Sequence, residues 1–236
     1  DNMTISGETI DYGPCAFMDT YDPETVFSSI DHHGRYAYMN QPGITKWNLF
    51  KFAETLIPLI HDNEKKSIEI AQETVNKFNT LYEECWLNMM RSKIGLFGNE
   101  KEDKNLINNL LSWMKKNKTD YTNTFYLLTK QKTQEDKIFD NSDFINWYKK
   151  WKIRLEKNKK TAESFFDLMK NNNPVVIPRN HIVEKVLDSA NNTLDLKPLN
   201  SLLEVLKKPY TDRSKIKNYQ KPSVPNGKTY KTYCGT

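Results

Sequence analysis

The sequence predicts a mainly α-helical chain that opens on one short β-hairpin. Three observations carry this. Between Gln41 and Leu206, apolar residues recur at helical spacing in successive stretches separated by Gly, Pro and Asn breaks. At the start, the β-favouring pairs Thr4-Ile5 and Thr9-Ile10 flank Ser6-Gly7-Glu8, a turn in which Gly7 can take positive φ. Hydrophobic residues are only 37% of the 236 residues, but 12 Tyr, 11 Phe and 5 Trp compensate because each buries a large apolar area. The expected organisation is a hairpin and loop region over 1–45, a helical lobe over 46–206 and a flexible tail over 207–236.

Cys15 to Asn40 is rich in aromatic residues, contains Pro23 and Gly34, and keeps no helical period, so it reads as an ordered loop region. Asp22-Pro23 can cap and start a short helical turn over Glu24–Ile30. His32-His33 reads as exposed loop, because no further ligand accompanies the pair. Gln41-Pro42-Gly43 then starts a helix whose stripe is Trp47, Phe50, Leu56, Leu59 and Ile60, interrupted near Pro58. A second helix is expected over about 63–93, with Cys85 on its apolar side, ended by Gly95 and Gly98. A third runs through Leu106, Leu110, Trp113 and Met114, and Asp120 N-caps a fourth segment containing Phe125, Leu127 and Leu128.

Asn141-Ser142-Asp143 introduces one long helix over about 144–170, stopped by Asn171-Asn172-Asn173-Pro174. Val175-Val176-Ile177 is short and extended. Pro178-Arg179-Asn180 precedes a helix over about 181–191, where Arg179, Asn180 and His181 either hold the lobe against the hairpin or simply cap the helix. A last helix over 195–206 gives way, from Lys207, to the Pro, Lys, Tyr, Ser and Gly composition of a tail.

The net charge of +5, from 35 basic and 30 acidic residues, is spread along the chain. Recurrent Lys-Lys pairs beside helix formers describe solvated helix faces before phosphate-binding patches, so no nucleic-acid partner is expected. Mean hydropathy is −0.76, and no apolar run is long enough to span a bilayer. Cys15, Cys85 and Cys234 make neither a disulfide framework nor a zinc site. Cys85 reads as inert core, whereas Cys234, third from the end, is an exposed thiol able to reach a distant partner.

The hairpin carries the candidate chemistry. Pairing across its turn would make Asn2 and Asp11 neighbours, a neutral and an anionic oxygen suited to a hard cation such as Mg²⁺. The pair resembles the Asn-plus-Asp metal clamp of protein kinases, and Asp11-Tyr12-Gly13 resembles their Asp-Phe-Gly element with one aromatic exchanged. Asp1 beside Asn2 could accept the proton of an attacking hydroxyl. Asp-Asn and Asp-x-Gly also serve as ordinary turns and caps.

Asp1-Asn2-Met3, Thr9-Ile10-Asp11-Tyr12-Gly13-Pro14, Phe17-Met18-Asp19, Tyr21-Asp22-Pro23, Gly34-Arg35-Tyr36, Asn40-Gln41-Pro42 and Trp47-Asn48-Leu49 follow one another along the chain. This run, block by block and in order, resembles the SelO family (YdiU, UPF0061), pseudokinases that act as protein adenylyltransferases. Arg179-Asn180-His181 and Cys234 add matches later in the chain. The resemblance implies the C-terminal lobe of a kinase-like fold, without the small N-terminal lobe whose Gly-rich stretch, Lys and Arg hold ATP. It implies transfer of AMP from ATP, with Mg²⁺ or Mn²⁺, to Ser, Thr or Tyr hydroxyls of proteins. Asp1 would be the proton acceptor, and Asn2 and Asp11 the metal ligands, with Asp11 also meeting the nucleotide phosphates.

It further implies a monomer, mitochondrial in a eukaryote and cytoplasmic otherwise. Cys234 would be a redox latch, and since Phe27 stands where the family's partner cysteine falls, Cys15 is the substitute candidate. Starting at Asp1-Asn2 with no initiating Met, the chain is expected to be part of a longer protein and to bind ATP poorly by itself. The alternatives are a kinase-type phosphotransferase, which the absence of His-Arg-Asp-x-x-x-x-Asn spacing opposes, and a non-catalytic helical interaction module.

Overall fold

A few short polar side chains set the helix starts in this chain. Asp120 accepts the Asn123 amide (2.7 Å) and Asn141 the Asp143 amide (2.9 Å), each satisfying a donor that the first helical turn leaves unpaired. Pro42 and Pro198 occupy first-turn positions, where a missing N–H costs nothing. In the computed structural model, which describes residues 3–8, 15–158, 160–223, 230 and 232, the resulting elements are α1 (Gln41–Ile60), α2 (Glu64–Lys93), α3 (Asp103–Asn117), α4 (Tyr121–Thr129), α5 (Ser142–Glu156), α6 (Ala162–Asn172), α7 (Asn180–Thr193), α8 (Lys197–Leu206) and α9 (Lys217–Gln220). The described chain is mainly helical, and its only β pairing is two isolated bridges, Thr20 with Asp120 and Ser28 with Thr232.

The chain divides into two compact units. One comprises Asp1–Ala16, Pro23–Trp86 and Thr229–Thr236; the other Phe17–Asp22 and Leu87–Lys228. In the first, Asp31 accepts the amides of Arg35 and Tyr36 (both 2.8 Å), which shapes the loop ahead of α1. The Arg35 guanidinium lies 4.6 Å from the Trp47 ring centre. Thr232 donates to the Phe27 carbonyl (2.8 Å) and accepts from the Ser29 amide (3.0 Å). The turn expected over Glu24–Ile30 is not helical, because Thr25, Phe27 and Ser29 spend their main-chain groups on Tyr38 and Thr232. Along α2 only Ser67, Ala71 and Val75 are buried in this unit, and Cys85, expected in the core, is exposed.

The second unit is built on aromatic packing between α3 and α5. Trp113, Phe139, Phe144, Trp147 and Trp151 follow one another at centroid separations of 4.7–5.7 Å. The indoles of Trp147 and Trp151 donate to the Leu106 and Ile94 carbonyls (both 2.8 Å), so these buried N–H groups are satisfied. Beside them Asp103, fully buried, takes Arg91 Nε (2.8 Å) and Arg154 Nε (2.6 Å).

Two expectations are corrected here. The single helix over 144–170 is two, α5 and α6. Asn158 breaks it, donating to the Gly95 carbonyl (2.9 Å) and accepting the Phe97 amide (3.1 Å), and Thr161 caps the restart. The stretch predicted as tail from Lys207 is anchored at points within 207–220: Ile216 is buried with Val175, Val176 and Val205, and Val175 donates to the Pro209 carbonyl (2.7 Å).

Candidate functional site

Asp1, Asn2, Asp11 and Cys234 lie outside the described residues. Cys15, the remaining candidate, is an exposed free thiol. Within Met3–Glu8, Gly7 has φ +71°, as its turn role requires. The turn itself sits earlier than expected: Gly7 donates to the Thr4 carbonyl (3.3 Å), and the Thr4 hydroxyl to the Glu8 carbonyl (2.7 Å). Thr4-Ile5 therefore enters the turn rather than a strand, with Ile5 87% exposed.

The best-defined arrangement of motif residues is the anchoring of Phe17–Asp22, the segment that follows the candidate hairpin. It is held at alternate residues, the period of an extended chain. The Asn180 side chain accepts the Phe17 amide and donates to the Phe17 carbonyl, both at 2.8 Å. The Asp19 carbonyl accepts the Tyr121 amide (2.8 Å), and Tyr21 donates to the Thr119 carbonyl (2.9 Å). The Tyr21 ring packs 5.6 Å from that of Tyr121.

Arg179 stands at the centre, its side chain fully buried. Nη1 donates to Asp19 Oδ1 (2.7 Å) and to Asp120 Oδ2 (2.6 Å), while Nη2 reaches Asp120 Oδ1 (3.2 Å) and the Gln220 carbonyl (3.0 Å). The second oxygen of Asp19 accepts the Ser223 amide (3.0 Å). Burial pushes the Asp120 carboxyl above its ordinary value, opposed by the Arg179 hydrogen bond and charge. Asp120 also caps α4, so one carboxylate starts a helix and neutralises the arginine. Burial lowers the His181 pKa, and its Nδ1 has no hydrogen-bond partner among the described residues.

Of the two roles open to Arg179-Asn180-His181, the expected hold on the hairpin falls on residues outside the described ones; what Arg179 and Asn180 hold is Phe17–Asp22, within their own unit. Arg179 precedes α7 without a capping hydrogen bond from its side chain, and Asn180 turns its amide to Phe17. A guanidinium so enclosed has no face left for a substrate; its chemistry is to fix neighbours. Asn123, Gln220 and Ser223 complete the anchor. The first is an unmarked helical residue in the sequence, and the other two fall in the stretch that composition assigns to a tail. Among the described residues no group of three His, Cys, Asp or Glu side chains could hold a metal, and no helix is long and apolar enough to cross a membrane.

Comparison with known proteins agrees with the motif order. The family model described as protein adenylyltransferase SelO matches residues 1–207. A relative from Pelagibacter ubique, named protein nucleotidyltransferase YdiU, is 55% identical over the whole chain, which covers 49% of that protein. Relatives of the same name from Nitrosococcus oceani and Bacillus cereus are 50% and 49% identical over the whole chain, which covers 48% of each. The chain thus spans about half the length of the curated relatives it matches. With a family model matching residues 1–207, from Asp1-Asn2 through the Arg179–Asn180 anchor, the chain belongs to the SelO family.

Proposed function

We propose that the protein is a protein adenylyltransferase. The match of the family model over residues 1–207 carries the reading, because it includes Asp1, Asn2 and Asp11 together with the anchor that follows them. A Ser, Thr or Tyr hydroxyl of a protein substrate attacks the α-phosphorus of ATP. A P–O bond forms, the bond to the β-phosphate breaks, and pyrophosphate leaves. Asp1 accepts the hydroxyl proton. Asn2 and Asp11 are an amide and a carboxylate oxygen, the hard donors that Mg²⁺ or Mn²⁺ takes beside phosphate and water. The metal supplies charge neutralisation at the phosphates.

The residues that hold the rest of ATP belong, on this reading, to a part of the natural protein outside this sequence. The same reading makes Cys234 and the exposed Cys15 a redox pair, checked by mass spectrometry of the unreduced protein. The decisive experiment incubates the full-length protein with ATP labelled at the α- or the γ-phosphate, beside Asp11→Ala. Label from the α-position alone, lost in the variant, is the expected result. Label from γ would make the protein a kinase, and label from neither would leave a helical interaction module.

A further inference from the structure

Helix α1 combines the composition of a core helix with the exposure of a surface one. Its 20 residues carry only three charges, Lys46, Lys51 and Glu54. At 100° per residue, Ile44, Trp47, Leu49, Phe50, Phe52 and Ile57 are distributed round the whole cylinder. A helix that is apolar all round belongs in a protein core or a membrane, and α1 is not long and apolar enough to cross one. Yet none of its residues is buried. One side has a partial partner within the same compact unit: Phe50, Ala53, Ile57 and Pro58 face Ile68 and Ala71 of α2 across an open groove of about 490 Å³. Phe52 and Leu59, seven residues apart and so on one side of the helix, do not line that groove and are 43% and 81% exposed.

A long face of aromatic and branched side chains with so few charges has the character of a domain core cut in half; surfaces that meet transient partners carry more polar groups. The curated relatives supply the length for a cover, because this chain spans only 48–49% of them. A covering segment in the same molecule is held at high effective concentration, which favours it over any separate molecule. We propose that α1 is a central helix of the whole protein, covered on its Phe52 and Leu59 side by apolar side chains from the portion of the natural protein outside this sequence. The α1 face is then the seam along which the two halves of the protein join. This inference rests on the length of the relatives and not on the chemistry of nucleotide transfer.

The test places the photo-reactive residue p-benzoylphenylalanine at Phe52, and separately at Leu59, in the full-length protein, and identifies the cross-linked peptides by mass spectrometry. The expected result is cross-linking, at both positions, to residues of the same molecule that lie outside this sequence. Cross-links confined to residues of this sequence, within one molecule or between two copies, would overturn the proposal, and so would the absence of any protein cross-link at either position. Because so bulky a ring disturbs close packing, the unmodified full-length protein is also footprinted with hydroxyl radicals. Phe52 and Leu59 should be modified close to background in the folded protein and readily after unfolding in denaturant. Modification of the folded protein at the unfolded rate would overturn the proposal even where the cross-linking variants fail to fold.

Discussion

Asp19 accepts a 2.7 Å hydrogen bond from Arg179, a residue 160 positions later in the chain. The same nitrogen bonds Asp120 at 2.6 Å, so two carboxylates depend on one buried cation. Their mutual repulsion is tolerable only while the guanidinium stands near both. The arrangement therefore has an asymmetry: losing the cation is far worse than losing one of the anions.

Arg179→Met should destabilise the protein by about 3–5 kcal/mol, because it leaves buried charge uncompensated. Asp120→Asn should cost less, since Asp19 still pairs with the arginine. In the double variant the loss should be smaller than the sum of the two, by on the order of 1–3 kcal/mol. Chemical denaturation of the four proteins measures this coupling, and strict additivity would mean that the three groups do not act as a unit.

Asp103 presents the inverse case, one buried carboxylate serving two arginines. Burial alone would raise its pKa, but the hydrogen bonds from Arg154, the Glu100 amide and Arg91 outweigh it and hold the carboxyl below the usual range. A depressed carboxylate contributes stability that is present above its unfolded value and lost as pH falls through its folded value. Asp103→Asn should cost about 3–5 kcal/mol near neutral pH. The difference from wild type should shrink on acidification below pH about 4, which denaturant melts at several pH values would show. A pH-independent difference would assign the loss to geometry instead of charge.

These clusters also mark the limit of what the sequence reveals. Asp120 as the start of α4 is legible, since a cap acts over three residues. Its pairing with Arg179 spans 59 positions, and no local signal carries it. Asn158 looks like any polar residue in a helical stretch. It breaks the helix because Gly95 and Phe97, 63 and 61 positions earlier, offer main-chain groups that need partners. Ile216 sits amid tail-like composition, and its burial against Val175, Val176 and Val205 overrides the character of its neighbours. Arg179 and Asn180 were visible as a motif; which segment they hold was not, because that depends on Phe17 and Asp19 meeting them in space.

Gly95 is a position where periodicity shows a helix stop and the structure shows why glycine supplies it. Its φ is +73°, and a Cβ there would lie 3.0 Å from the Phe165 carbonyl oxygen and 3.1 Å from Met169 Cγ and Sδ. Gly98 has nearly the same φ, +72°, with nothing within 4 Å of such an atom. Gly98→Ala should cost only the left-handed backbone penalty, about 1–2 kcal/mol. Gly95→Ala should cost that and a further 1–3 kcal/mol for crowding α6. Equal losses in the two variants would show that α6 yields without strain.

Lys93 gives a prediction whose sign runs with rising pH. Only 8% exposed, its ammonium lies 4.5 Å from the Phe125 ring centre and 5.4 Å from that of Tyr121, and donates to the Asn172 carbonyl at 3.4 Å. Burial lowers its pKa from 10.5 to about 8. Folding thus penalises the charged form: the penalty is complete below the folded value and is relieved as pH rises toward the unfolded one. The aromatic faces return on the order of 1–2 kcal/mol of a shift that would otherwise amount to about 3 kcal/mol. Lys93→Met keeps the length of the apolar stem and removes the charge, so it should stabilise the protein by about 1–2 kcal/mol at neutral pH. That advantage should fade between pH about 8 and 10 as wild-type Lys93 loses its proton. Denaturant unfolding at pH 7 and pH 9.5 decides it. A destabilised variant at pH 7 would mean that attraction to Phe125 and Tyr121 exceeds the cost of burying the ammonium.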